Sequence, residues 1–334
     1  MKNITINDVS LRDGNHSVNH SITLESIARY CSFADSANIP YIEVGHGCGL
    51  SASSILIGQC KYSDKEILSV ARKNIKNNKL SVHIIPGFAT IKKDISVAID
   101  EGVDVFRIAT HCTEATISAT HLKYLSKENK TAHGVLMLSA LTTKEMLLEQ
   151  SKLMVDYGAQ AIILMDSTGS FLPSDVQERI ELLVQNLNVD VGFHAHNNLS
   201  LSIANSLQAV KSGAKIIDAC ICGFGAGAGN TPLEILIPVL EKSGYSTGID
   251  FNLLIDEARN ALSYLVPEIP TSNSINVLTG LHKIVGAFEK PIEKASKNFD
   301  VNYIKLIEEV GNRKLIAGQE DLIIEIAKKM KENL

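Results

Sequence analysis

The sequence has no tryptophan and only eight prolines. It also has no apolar run near the roughly 18 residues that a transmembrane helix needs. Its net charge of −5 gives no excess of basic side chains, so electrostatics do not favour binding to nucleic acid or to an anionic membrane. Low-complexity segments and long linkers are lacking. The 334 residues, 45% of them hydrophobic, therefore predict a globular protein with one large domain or two domains.

The six cysteines include none of the Cys-x-x-Cys pairs that are typical of structural zinc sites. Most of them lie in apolar runs, which indicates reduced thiols packed in a core. The N-terminal segment lacks the apolar stretch of a secretory signal peptide. We therefore expect a cytoplasmic protein.

Short apolar segments alternate with helical patterns, which is typical of parallel βα units. One helical pattern begins at Leu24, and Thr23 is its predicted N-cap. Eight strands are predicted, at residues 4–9, 41–44, 80–85, 103–109, 134–138, 161–165, 189–194 and 216–222. Eight such units fit an α/β fold of the (β/α)8 TIM-barrel type, which usually has about 250 residues. A doubly wound sheet is the alternative, but it usually needs fewer strands.

The alternation stops after the eighth unit, and Pro267 and Pro270 mark a break. Helical patterns follow at residues 277–288, 303–310 and 322–330. We therefore predict a TIM-barrel catalytic domain at residues 1–260 and a small helical C-terminal domain at residues 261–334. The helical region packs either against the barrel or against a partner protein.

Two histidines, His194 and His196, stand at the end of the seventh predicted strand. Side chains alternate between the two faces of a strand, so residues two positions apart project from the same face. Neutral histidine is a common ligand of divalent metals, although an isolated pair is more often structural. The chemistry of TIM barrels lies at the carboxyl ends of the strands. This position therefore favours a metal site.

Asp13 follows the first strand, which we expect to neighbour the seventh when the barrel closes. With His194 and His196 it supplies one carboxylate and two imidazoles, a set that suits Mn, Mg, Fe, Co or Zn. Arg12 is then beside the metal, where a guanidinium stabilises developing negative charge; its alternative role is a structural ion pair. His16 is either a general base or a surface histidine.

Two further segments follow predicted strands. The hydroxyl of Ser167, after the sixth strand, either binds a substrate carboxylate or caps the next helix. The glycine-rich run at residues 225–230 follows the eighth strand but does not match the GxGxxG pattern of dinucleotide-binding loops. We interpret it as a tight loop that allows a close approach of the backbone.

Six motifs stand in order along the chain: SLRDGNH at residues 10–16, EVGHG at 43–47, ATHCTEA at 109–115, GFHAHNN at 192–198, GAGAGNTPLE at 225–234 and AGQED at 317–321. In this order they resemble the motifs of the bacterial 4-hydroxy-2-oxovalerate aldolases. That family belongs to the metallo-TIM-barrel superfamily that also contains isopropylmalate synthase and hydroxymethylglutaryl-CoA lyase. The similarity extends over essentially the whole chain.

The resemblance implies reversible cleavage of a 4-hydroxy-2-oxoacid to pyruvate and an aldehyde. It implies a divalent metal, usually Mn²⁺, which takes the 2-oxoacid through its carboxylate and carbonyl oxygens. The implied metal ligands are Asp13, His194 and His196. It further implies that Arg12 stabilises the pyruvate enolate, that His16 is the acid/base residue and that Ser167 contacts the substrate carboxylate. The substrate site implied in this way comprises Arg12, Asp13, Ser167 and His194.

The helical C-terminal region of this family docks an acylating aldehyde dehydrogenase, so the resemblance implies such a partner within an oligomer. Two positions depart from the family pattern. Val285 stands where a tyrosine is usual, with His282 close by in sequence, and Cys48 stands where aspartate is common. We predict that the aldehyde substrate has diverged while the pyruvate enolate chemistry is retained.

Two alternatives differ in function. An acyl-CoA-dependent condensing enzyme or lyase of the same superfamily typically has glutamine at the position of His16 and glutamate at that of Ala226, and both positions favour the aldolases. A non-catalytic barrel that serves as a scaffold for a dehydrogenase has no need of the complete set of titratable residues described above.

Overall fold

The computed structural model of the chain describes residues 2–316 and 318–332. Eight parallel strands form a closed barrel. The strands are β1 Thr5–Leu11, β2 Tyr41–Val44, β3 Lys79–Ile84, β4 Val105–His111, β5 Thr131–Met137, β6 Ala161–Asp166, β7 Asp190–Ala195 and β8 Ile216–Ala219. Each strand pairs with the next, and the pairing of Thr5 with Ile216 joins β1 to β8 and closes the barrel. The predicted TIM barrel is confirmed.

Helices surround the barrel, each burying one apolar face against it. They are α1 Leu24–Ser36, α2 Asp64–Asn74, α3 Ser96–Asp100, α4 Ala119–Lys127, α5 Lys144–Asp156, α6 Pro173–Asn186, α7 Ser202–Lys211 and α8 Leu233–Lys242. Thr23 caps α1 as predicted, because its hydroxyl accepts a hydrogen bond from the Ser26 amide at 3.1 Å. No helix among the described residues has the length and hydrophobicity to cross a bilayer.

The eighth strand is shorter than predicted. It ends at Ala219, and a 3-10 turn at Ile221–Gly223 follows, in which Cys222 has a φ of +53°. The Cys222 amide donates to the Glu234 carboxylate at 2.9 Å, so it does not continue the ladder. The prediction of strand structure through residue 222 is therefore wrong, whereas the six cysteines are free and four of them are buried, as expected.

Five helices follow the barrel units: α9 Phe251–Ala261, α10 Ser274–Leu281, α11 Glu289–Phe299, α12 Tyr303–Arg313 and α13 Glu320–Glu332. The helix predicted at residues 277–288 ends at Leu281, because the chain turns through a left-handed residue, Lys283, with a φ of +56°. A short 3-10 turn at Gly286–Phe288 then leads into α11, which the sequence pattern did not reveal. Within the motif at 317–321, residue 317 lies outside the described residues.

The apolar interior forms separate clusters. One surrounds the barrel and extends along the chain to Val266. A second lies among α11, α12 and α13, around Phe288 and Leu306. A third, smaller cluster includes Ala109, Val135, Ala161, Ile163, Met165 and Ile216. Those six residues belong to β4, β5, β6 and β8. The strands also contribute buried charged or polar side chains, among them Asn7, Glu43, His83, Arg107, His133 and Asp218.

Candidate active site

Asp13, His194 and His196 lie together at the carboxyl ends of β1 and β7, although these strands are not neighbours as expected, because β8 lies between them. Asp13 begins the 3-10 turn Asp13–His16 after β1, and the two histidines stand at the end of β7. One ligand atom of each residue lies within 4.8 Å of those of the other two. The Nε2 atoms of the histidines are 3.3 Å apart. The three predicted ligands are therefore close enough to share one ion.

The protonation states of this cluster suit a divalent cation. Burial lowers the pKa of His196 to about 4, so its imidazole is neutral near pH 7. Burial alone would raise the pKa of Asp13, but the Arg12 guanidinium and the neighbouring histidines hold it well below its usual range. A carboxylate and a neutral imidazole are the forms in which these groups bind metals. The donor set fits the predicted metal.

Arg12 is buried and contacts two carboxylates. Its Nη1 lies 2.5 Å from Oδ2 of Asp13, and its Nε lies 2.6 Å from Oε1 of Glu43. Its Nη2 is buried and has no hydrogen-bond partner among the residues that the structure describes. A buried N–H group without a partner costs free energy unless a ligand satisfies it. Arg12 thus forms the ion pairs that a structural role predicts, and its Nη2 group remains available to donate to a ligand.

The second oxygen of Asp13 is held by the glycine-rich loop. Oδ1 accepts hydrogen bonds from Nδ2 of Asn230 at 2.8 Å and from the Ala226 amide at 3.2 Å. A Cβ at Gly225 would overlap the Asn230 side chain and lie 2.9 Å from Oδ1 of Asp13. The predicted close approach of the backbone is confirmed. The contribution of Asn230 was missed, because an asparagine at the end of a glycine run looks like a turn residue.

His194 is oriented by a carboxylate. Its Nδ1 lies 2.9 Å from Oδ2 of Asp218, within β8. An acidic group that accepts the Nδ1 proton leaves the Nε2 lone pair available to a metal. Asp218 was also missed, although its position within the apolar strand Ile216–Ala219 was a signal, because an acidic residue is rarely buried unless it has a partner.

His16 lies beside this cluster and is half-buried rather than at the surface. Its Nε2 is 3.9 Å from Sγ of Cys48, and its ring centroid is 5.1 Å from that of His20. His20 in turn stacks on His46 at 3.6 Å. Burial lowers the pKa of His16, which keeps the imidazole neutral and able to accept a proton.

Ser167 follows β6, and its hydroxyl oxygen accepts a hydrogen bond from the Leu138 amide at 2.9 Å. It does not cap the next helix, because α6 begins at Pro173 and the carboxylate of Asp175 accepts from the Leu172 amide at 3.0 Å. The capping alternative is therefore wrong. The hydroxyl proton of Ser167 stays available, since the bond to Leu138 uses only a lone pair.

Helix α10 contacts the loops at the carboxyl end of the barrel. Nδ2 of Asn198 donates to Oγ1 of Thr279 at 3.2 Å, and the Ser272 hydroxyl donates to the Asn198 carbonyl at 2.6 Å. A Cβ at Gly227 would lie 3.6 Å from Cα of Gly286. The C-terminal helices are thus joined to the loops that follow β7 and β8.

The fold and the site define a (β/α)8 barrel with a carboxylate and two imidazoles placed for a divalent metal. The HMGL-like family model matches residues 3–260, and a DmpG-like communication domain matches residues 270–332. The carboxyl transferase domain of Rhizobium etli pyruvate carboxylase has the same fold, with a TM-score of 0.81 at 15% identity over 100% of this chain and 61% of that one.

The relatives give a more specific result. A 4-hydroxy-2-oxovalerate aldolase of Pectobacterium atrosepticum is 48% identical over 98% of this chain and 95% of its own length. One of Spirochaeta aurantia is 45% identical over 98% of this chain and 96% of its own. The chain belongs to the 4-hydroxy-2-oxovalerate aldolase family, whose members are lyases. The predicted resemblance is confirmed, and these relatives give no support to the condensing-enzyme or scaffold alternatives.

Proposed function

We propose that this protein is an aldolase that reversibly cleaves 4-hydroxy-2-oxovalerate, or a related 4-hydroxy-2-oxoacid, to pyruvate and an aldehyde. The observation that carries the proposal is the unpartnered Nη2 of buried Arg12 beside the ligand cluster of Asp13, His194 and His196. A cationic donor next to a metal-type donor set suits an intermediate that develops negative charge on oxygen.

We propose Mn²⁺ as the metal, held by Asp13, His194 and His196. The carboxylate and two imidazoles suit several divalent ions, and the resemblance to the family implies manganese among them. A bound divalent cation would supply Lewis acidity to the 2-oxo group. The chain itself keeps its ligands in order: Asn230 holds the second oxygen of Asp13, and Asp218 holds Nδ1 of His194. These contacts prevent the ligands from rotating away.

Arg12 and Ser167 bind the pyruvate part of the substrate in this proposal. Nη2 of Arg12 donates to the enolate oxygen, where charge builds up during cleavage. The Ser167 hydroxyl accepts from the Leu138 amide and directs its own proton to the substrate carboxylate. Asp13 and His194 lie next to the same substrate in this proposal, because both belong to the ligand cluster.

His16 acts as the acid/base residue. Its neutral imidazole accepts the proton of the 4-hydroxyl during cleavage and returns it during condensation. Burial raises the pKa of the neighbouring Cys48 thiol to about 11, so this group stays neutral and adds no charge beside His16. Val285 has no exchangeable side-chain proton to assist. We therefore propose that the aldehyde pocket has diverged.

We further propose that residues 261–334 form a separate C-terminal domain that docks an acylating aldehyde dehydrogenase within an oligomer. The match of residues 270–332 to a communication domain supports this proposal. Its own apolar cluster around Phe288 supports a separate domain, although Ala261, Leu265 and Val266 still pack with the barrel cluster. The contacts of α10 with Asn198 provide a physical link from the site to the docking region.

The test is pyruvate release from 4-hydroxy-2-oxovalerate, coupled to lactate dehydrogenase, by protein treated with a chelator and then supplied with Mn²⁺. We expect release only after the metal is added. Bound Mn²⁺ without any release would contradict the aldolase proposal. Free CoA thiol from acetyl-CoA and a 2-oxoacid would then identify a condensing enzyme.

A panel of aldehydes tests the divergence. Incubation with pyruvate should give faster condensation with an aldehyde other than acetaldehyde, because Val285 and Cys48 change the polarity of the region that handles the aldehyde. A clear preference for acetaldehyde would refute this part of the proposal and leave the pyruvate chemistry intact.

A further inference from the structure

Arg107 lies inside the barrel on β4 and is 1% exposed. Its Nη1 is 2.7 Å from Oε2 of Glu43, and its Nη2 is 2.6 Å from Oδ2 of Asp218. A buried guanidinium with two carboxylates costs a large desolvation free energy, and such a group is often replaceable by apolar residues. Apolar residues do fill part of the same set of strands, as in the cluster of Ala109, Val135 and Ile163. The charged arrangement therefore calls for an explanation beyond packing.

Each of these two carboxylates also holds a residue of the site. The other oxygen of Glu43, Oε1, accepts from Nε of Arg12 at 2.6 Å. Oδ2 of Asp218, which binds Arg107, also lies 2.9 Å from Nδ1 of His194. An uninterrupted series of charged contacts thus runs from Arg12 through Glu43, Arg107 and Asp218 to His194.

We propose that Arg107 is a positioning residue, which sets the geometry of Arg12 and His194 at once by holding the two carboxylates that orient them. Arg107 itself contacts neither of those residues directly. The inference rests on the proposed function, since it assigns a purpose to the position of His194 as a metal ligand and of Arg12 as an oxyanion donor.

The chemistry of the side chain explains why arginine is required. Its planar fork presents two nitrogens in fixed directions, so Glu43 and Asp218 are held at a defined separation. The compact ammonium of lysine keeps the charge but cannot fix both carboxylates in that way. If Asp218 is displaced, the Nδ1 proton of His194 loses its acceptor. The imidazole is then free to rotate, and its Nε2 lone pair no longer points to the metal position that it would share with His196.

The test is the Arg107→Lys variant. Mn²⁺ affinity is measured by electron paramagnetic resonance of the free ion, and pyruvate release gives kcat and KM. We expect Mn²⁺ to bind up to about 10- to 100-fold more weakly, because displacement of Asp218 deprives His194 of the outer partner whose loss usually has this effect. At saturating Mn²⁺ we expect kcat to remain low, because Arg12 is also displaced. The matched control is Arg72→Lys. Nη1 of Arg72 lies 2.8 Å from Oδ2 of Asp104, and this ion pair is not part of the ligand cluster.

The outcomes separate the inference from the function on which it rests. A folded Arg107→Lys variant with unchanged Mn²⁺ affinity and kcat overturns the positioning role. If Arg107→Lys does not fold, Asp218→Asn removes the charge on which the series depends while it keeps the side-chain volume. Unchanged Mn²⁺ affinity in Asp218→Asn would equally overturn the inference. Failure of the unsubstituted protein to bind Mn²⁺ and to release pyruvate would instead contradict the proposed function.

Discussion

The interior of the barrel and the core of the C-terminal helices differ in the kind of side chain that they bury. Beneath the barrel mouth, Arg12, Glu43, Arg107 and Asp218 are all buried and paired. Around Phe288 the core is apolar, and the ion pairs of α11 and α13 join exposed side chains such as Lys297 and Glu293.

This difference shows where the fold buries charged groups, at a cost in desolvation free energy, in support of function. Apolar packing as in the helical core yields stability at about 25 cal/mol per Å² buried. Buried ion pairs do not reliably stabilise, and breaking one leaves an uncompensated charge. The charged interior is therefore best understood as support for the site, whereas the apolar core of the helices contributes stability.

The largest effect is expected at a proposed metal ligand. The His196→Ala variant should lose Mn²⁺ binding and more than about 100-fold of its pyruvate release, because loss of a ligand exceeds loss of an outer partner. Electron paramagnetic resonance and the coupled assay measure the two quantities. His121→Ala is the control, since His121 lies on α4 and contacts the Ala89 carbonyl. Retention of both properties in His196→Ala would contradict the ligand assignment.

In the helical core, Phe288→Ala should lower the free energy of unfolding by about 3–5 kcal/mol. Phe288 is fully buried, so its removal leaves a cavity among α11–α13. Urea unfolding monitored by circular dichroism measures the loss, and Phe88→Ala, at a side chain that is 38% exposed, is the control. Mn²⁺ affinity should stay unchanged. A parallel loss of Mn²⁺ binding would show that the two regions are not independent.

The free energy of unfolding of the barrel should also decrease in acid, because the barrel buries histidines as well as apolar side chains. Burial lowers the pKa values of His20, His83 and His133 to about 3, below the usual value of about 6.5 in an unfolded chain. Between these values the unfolded chain binds protons that the folded chain does not. Stability is therefore highest above pH 6.5 and falls as the pH decreases toward 3.

Urea midpoints of metal-free protein at pH 7.5 and pH 5 measure this effect. Asp8 acts in the opposite sense, because burial raises its pKa to about 6 and its contribution is lost as the pH rises through 6. The three histidines should outweigh it, and His133→Gln should reduce the difference between the midpoints. Equal midpoints at the two pH values would refute the prediction.

The smallest effect is expected at the surface of α13. Lys329 and Glu325 form an exposed pair one helical turn apart. Lys329→Ala should change the free energy of unfolding by no more than about 0.5 kcal/mol, and less in high salt. A loss of several kcal/mol would mean that this surface pair has a structural role comparable to that of the buried pairs.

The cluster of Asp13, His194 and His196 could be predicted because it follows from local patterns. The alternation of strands and helices gives a barrel, and residues at strand ends then share one face. Arg12, Asp13, His16, Ser167, His194 and His196 all follow or end strands. Their roles remain proposals, but their positions could be derived from the sequence.

The supporting contacts could not be predicted in this way. Arg107 pairs with Glu43 and Asp218, which are 64 and 111 positions away along the chain. A single sequence shows that a charged residue interrupts an apolar strand but does not show its partner. Helix α11 was missed for a different reason: Pro291 looks like a helix breaker, yet it lies in the first turn, where no amide donor is required.

The bond between Asn230 and Asp13 joins residues 217 positions apart, and the bond between Asn7 and Asp218 spans 211. During synthesis the chain emerges from its N-terminus at about 5–20 residues per second. Asp13 is therefore exposed for many seconds before its second oxygen can be held, and the ligand cluster closes only when β8 and the glycine-rich loop have joined β1. If these three residues bind the metal, we therefore expect metal capture to follow closure of the barrel rather than to precede it.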